Sequence, residues 1–128
     1  MLEEKYFREK LEAVLKRLLS NNPNIRIATI SSLEGLPIVS ILPRGSNETM
    51  MSALVATLLS LSERAVMDLK IGEFSQLFIK GINGSLLVFE AEPAVLAVST
   101  TKEAKLGLIF FECERTCREI SQLFKNEK

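Results

Sequence analysis

Residues 86–99 read LLVFEAEPAVLAVS, two apolar runs separated by Glu92 and Pro93. A strand with one wet face alternates apolar and polar side chains. These runs do not: Leu87, Phe89 and Ala91 oppose Leu86 and Val88, and Ala94, Leu96 and Val98 oppose Val95 and Ala97. Apolar character on both faces predicts two central strands, each covered on both sides. The rest of the chain must supply the covers.

Working upstream, GING at 81–84 reads as a hairpin turn and FSQLFIK at 74–80 as a third strand. Before it, residues 47–70 carry a long apolar helix, with Ser46 or Asn47 as its cap, Glu48 near its positive end and Gly72 just past it as a stop. IRIATISS from Ile25 and PIVSIL from Pro37 form a hairpin about the turn LEGLP, where Gly35 is free to take positive φ. Phe7, Leu11, Val14, Leu15 and Leu18 recur at the helical period over residues 2–20, and NNPN at 21–24 stops that helix. Downstream, Thr100 or Thr101 can cap a last helix over roughly 102–125, its face formed by Leu106, Ile109, Phe110, Cys113, Cys117, Ile120, Leu123 and Phe124.

The expected order is α-β-β-α-β-β-β-α. The fold class is α+β: a three-layer α/β/α sandwich on a five-stranded, mainly antiparallel sheet. One helix covers one face and two cover the other. By length, residues 1–128 are expected to form one domain.

The helix at 47–70 has more apolar surface than one sheet needs. At ~100° per residue its large apolar side chains fill about half the wheel, where a single sheet asks for an arc of about 100°. Met51, Val55, Leu58, Leu59, Val66 and Leu69 suit the chain's own sheet. Met50, Leu54, Leu61 and Ala65 are surplus, beside the small residues Ala53 and Thr57 and followed by Arg64 and Asp68. That surplus either tucks under a loop of the same chain or meets a partner, most simply the same helix of a second copy across a two-fold axis. The strand after it reads as an edge, with Lys80 a modest defence and Phe74, Leu77, Phe78 and Ile79 sticky, and two such edges could join the two sheets. The expected dimer interface is therefore Met50, Ala53, Leu54, Thr57, Leu61, Arg64, Ala65, Phe74, Gln76 and Phe78. On the last helix, Leu108 and Phe111 fall off the apolar face. They either pack on the first helix or form a docking patch.

Composition narrows the chemistry. Sixteen Lys and Arg balance sixteen Asp and Glu, which gives no electrostatic footprint for nucleic acid. No histidine is present, so the commonest general base and metal ligand is missing. Cys113 and Cys117 stack on one helix face, where they suit core packing better than a disulfide or a zinc site. Neither a phosphate-cradling GxxxxGK[ST] loop nor a GxSxG elbow occurs. Glu112 and Glu114 read as solvated. No apolar run reaches the ~20 residues of a membrane span without polar interruption, and the charged start LEEKYFREKLEA is unlike a signal peptide. The expectation is a cytoplasmic protein that is not an enzyme, with no cofactor, no metal and no membrane insertion.

Two stretches carry a family resemblance. IATISSLEGLPIVS, with Glu34 and Gly35 at its turn, is similar to the opening hairpin of the Roadblock family. GSLLVFEAEPAVLAVSTTKEAKLGLIFFECERTCREI resembles that family's last strands and final helix. The family's usual Asn at the start of that helix is absent, the segment reading Lys105-Leu106-Gly107. The family includes Roadblock-type dynein light chains, Ragulator subunits and a bacterial gliding-motility GTPase activator. The resemblance implies a Roadblock-like, profilin-like fold and a homodimer or heterodimer through the second helix and third strand. It also implies a regulator or scaffold for Ras-like small GTPases that supplies no catalytic side chain. A structural adaptor that binds a helix or peptide is the alternative, and a small-molecule sensor is a third class.

Overall fold

A computed structural model describes residues 2–127. Its elements are α1 (Leu2–Asn21), β1 (Ile25–Ser32), β2 (Pro37–Ile41), α2 (Glu48–Asp68), β3 (Gln76–Gly81), β4 (Gly84–Ala91), β5 (Ala94–Thr101) and α3 (Leu106–Asn126). The strands form one five-stranded sheet in the order β2-β1-β5-β4-β3. Every neighbouring pair is antiparallel. The two apolar runs at 86–99 lie in β4 and β5, both inside the sheet.

Strand alternation sorts their side chains into two cores. Leu87 and Phe89 face the same side as Leu96 and Val98, with which they pair in register. There they meet Leu11 and Leu15 of α1, Ala28 and Ile30 of β1, and Ile109, Cys113 and Ile120 of α3. The opposite face holds a smaller core: Val88, Val95 and Ala97 under Val55 and Leu59 of α2, with Met51, Phe74, Leu77 and Leu86 around them. Two helices thus cover one face and one covers the other. Both cysteines lie in the larger core.

α2 starts where its sequence predicts. Asn47 caps it, its side-chain oxygen accepting from the Met50 N–H at 2.9 Å. The helix rests on the β1–β2 turn at Gly35, whose φ is 95°. A Cβ at that position would lie 3.2 Å from the Cβ of Ala56, so glycine serves both the turn and the close approach of the helix.

Four expectations need correction. The left-handed residue that ends α2 is Lys70, with φ of 56°, and not Gly72. Ile71 N–H reaches the Val66 carbonyl and Lys70 N–H the Met67 carbonyl, each at 3.1 Å, the paired bonds of a Schellman cap. Because the helix ends there, Leu69 is exposed instead of packing on the sheet. The third strand starts at Gln76 rather than Phe74. The last helix starts at Leu106 rather than near 102, because Thr100 and Thr101 belong to β5. Thr100 pairs with Ile25 and Ser85. Thr101 donates its N–H to the Asn24 carbonyl at 2.9 Å and its hydroxyl to Asn24 Oδ1 at 3.0 Å. Lys105 holds the cap position without a side-chain bond.

Candidate protein interface

Ser52, Val55 and Leu59 are the buried residues of α2 and mark the side that lies on the sheet. The helix is long and apolar enough by composition to suit a membrane, yet only 17% of its most apolar stretch is buried. Its remaining apolar surface is uncovered. Met50, Leu54 and Leu61 are 62%, 49% and 63% exposed. At helical spacing they form one ridge, with Ala53, Thr57, Arg64 and Ala65 exposed along it.

Two polar side chains on this ridge bond within the helix. The Thr57 hydroxyl donates to the Ala53 carbonyl at 2.9 Å. Arg64 Nε donates to Asp68 Oδ2 at 3.3 Å.

The structure does not bring all the expected interface residues to one surface. Phe74 is half-buried against the smaller core. Gln76 and Phe78 pair with Phe89 and Leu87, so they face the α3 side of the sheet, where the Phe78 ring meets Phe110 edge-on at 5.8 Å. The β3 residues on the α2 side are Leu77 and Ile79, opposite Val88 and Leu86. Sequence reasoning names both as sticky residues of this edge but leaves them out of the expected interface, although alternation counted from the core residue Val88 would have placed them there. It also missed Met67 and Ile71, exposed apolar residues at the C-terminal end of α2. β3 ends the sheet, with β4 as its one strand neighbour.

Leu108 and Phe111 are 55% and 57% exposed and do not pack on α1. They fall off the face of α3 that carries the buried Ile109, Cys113, Thr116, Cys117 and Ile120. α1 ends at Asn21, and the Asn22 side chain that follows reaches Glu112 at 3.5 Å. α3 therefore begins beyond the end of α1. Glu112 is not solvated as expected: it pairs with Arg115 at 3.0 Å and its side chain is 13% exposed.

Burial, then the nearby charges of Glu63 and Glu92, raise the Glu90 carboxyl above its ordinary value. Burial, with neighbouring acidic groups, pushes the thiols of Cys113 and Cys117 up to about 12. These thiols are neutral packing groups at physiological pH. Among the described residues no cluster of His, Cys, Asp or Glu is arranged to hold a metal ion.

Residues 10–100 match the Roadblock/LC7 domain. No curated protein sequence matches the chain. Among solved structures, the fold is similar to "MglB with tetrameric arrangement", at 20% identity and a TM-score of 0.85 over 94% of this chain and 91% of that one. It is also similar to the gliding protein MglB of Thermus thermophilus, at 19% identity and 0.82 over 94% and 92%. Myxococcus xanthus MglB aligns at 22% identity and 0.83 over 91% and 96%. At these identities the likeness is one of fold.

Proposed function

The chain belongs to the Roadblock/LC7 domain family, and from that premise we propose that it is a dimeric regulator or scaffold for Ras-like small GTPases. In this reading residues 1–128 work as one such domain in the cytoplasm. Two copies, or this chain and a related subunit, associate through α2 and the β3 edge. The observation that carries the reading is the uncovered ridge Met50, Leu54 and Leu61, which is large for a lone soluble chain. A structural relative described as having a tetrameric arrangement supports self-association.

Regulation then works through contact. The chain has no histidine, and its two thiols are buried. Catalytic side chains for GTP hydrolysis would come from the GTPase, which this protein reshapes or holds. Single-turnover GTP hydrolysis by a co-purifying small GTPase, with and without this protein, tests the proposal. A changed rate supports regulation; an unchanged rate with a GTPase that binds leaves scaffolding alone.

The exposed pair Leu108 and Phe111 favours a second reading, an adaptor that takes a helical or peptide partner on α3. Recovery of long coiled-coil proteins and no GTPase in a pulldown would support it.

A further inference from the structure

The sheet has two ends, and the dimer proposed above uses only the β3 end. β2 forms the other. Its backbone pairs with β1, and no other backbone bond from residues 38–41 occurs among the described residues. The strand reads Pro37-Ile38-Val39-Ser40-Ile41, uncharged and with three β-branched residues. Edges of this kind are usually guarded by charge, by a bulge or by a covering segment. Pro37 and the register shift at Ile38, where Ile30 pairs with Val39 and Ser31 with Pro37, guard only the start of the strand; Val39, Ser40 and Ile41 pair regularly and carry no charge, whereas β3 carries Lys80 within the strand.

A groove of about 500 Å³ follows this edge, with Val39 and Ser40 on its strand side. Helices flank it. Its carboxylates are Glu4, Glu9 and Glu12 from α1 and Glu48 from the first turn of α2. Lys5 and Arg8 are the cations that line it. Lys16 offsets Glu12 at 3.4 Å. Glu4, Glu9 and Glu48 have no ion-pair partner among the described residues. The groove thus combines a free strand edge and an excess of negative charge.

We propose that this groove accepts an extended, lysine- or arginine-bearing segment of another protein, which adds to β2 as a sixth strand. Its backbone would bond to the outward N–H and C=O groups of β2, the source of affinity in strand addition. Its cationic side chains would meet the flanking glutamates, the source of selectivity. A second copy is a poor occupant. β2 carries no cation, and pairing β2 with β2 would set the α1 carboxylates of two copies against each other. A helix is a poor occupant because it leaves the edge backbone unpaired. The proposal does not depend on the dimer or on the GTPase reading.

The test uses the ¹⁵N-labelled full chain and a capped ten-residue peptide alternating lysine with valine and threonine. Saturable binding is expected, with amide shifts centred on Ile38–Ile41 and Glu48 and slowed hydrogen exchange in β2. The same peptide with glutamate for lysine should bind at least about tenfold more weakly, as should the lysine peptide to a Glu9→Lys/Glu48→Lys variant. N-methylation of alternate peptide amides should abolish binding in one of its two phases. Equal binding of the glutamate peptide, indifference to N-methylation in both phases, or shifts centred on α2 or α3 would overturn the proposal. So would no binding at a peptide concentration of about 1 mM.

Discussion

A Cβ at Gly84 would collide with the carbonyl oxygen of Thr100. Gly84 opens β4, paired with Thr101 on one side and Gly81 on the other. No side chain fits between these backbones. Gly84→Ala should therefore cost about 1–3 kcal/mol, the range for overpacking a tight site. Urea denaturation checks the loss, and hydrogen exchange should place the loosening in the β3–β4 hairpin.

Lys70 is the opposite case. It holds a left-handed φ of 56° at the end of α2, and its side chain is exposed. An L-residue there costs roughly 1 kcal/mol that glycine avoids. Lys70→Gly should raise the denaturation midpoint, with a gain of about 0.5–1 kcal/mol and an unchanged m-value. A loss of stability would mean that the lysine side chain makes a contact outweighing its backbone strain.

Leu59 and Leu61 sit on opposite sides of α2, and their substitutions should separate folding from association. Leu59→Ala removes a buried side chain from the smaller core and should cost about 2–4 kcal/mol at any protein concentration. Leu54→Asp/Leu61→Asp should leave helical content intact and shift sedimentation toward the 14.3 kDa monomer. For the native chain, the thermal midpoint should rise with concentration. A native chain that sediments as a monomer at micromolar concentration would count heavily against the α2 interface.

The raised carboxyl of Glu90 sets a sign. Its folded state favours the neutral form, so its contribution to stability is fully present below the unfolded value near 4.5 and is lost as pH rises through the folded value. Glu90→Gln should be more stable than the native chain at pH 7, with the difference shrinking toward pH 4. Equal urea midpoints at both values would exclude the effect.

The buried thiols act at the other end of the scale. Burial raises the thiols of Cys113 and Cys117 from an ordinary value of 9.0 to about 12. The unfolded chain ionises first. Stability should fall as pH rises from about 9, by at most about 1.4 kcal/mol per pH unit for each thiol. A Cys117→Ala variant should show a shallower alkaline slope than the native chain. Both native thiols should react with Ellman's reagent only at the rate at which the core opens.

The element order, the three layers and the residues of the central strands are all legible in the amino-acid sequence. They follow from signals written locally: the two-faced apolar runs at 86–99, the turns at Gly35 and GING, and the Asn47 cap. Periodicity and turn chemistry act over a few residues, so they can be read without the fold. Where such signals yield to distant partners, the three-dimensional arrangement has to be known. Thr100 and Thr101 could cap a helix, but Ile25, Ser85 and Asn24 hold them in a strand. The ridge on α2 was legible as excess apolar surface. That Gln76 and Phe78 face α3, while Leu77 and Ile79 lie beside that ridge, depends on the register with β4. The groove at β2 likewise arises from α1 and α2 converging on one strand edge, a long-range arrangement that no local pattern encodes.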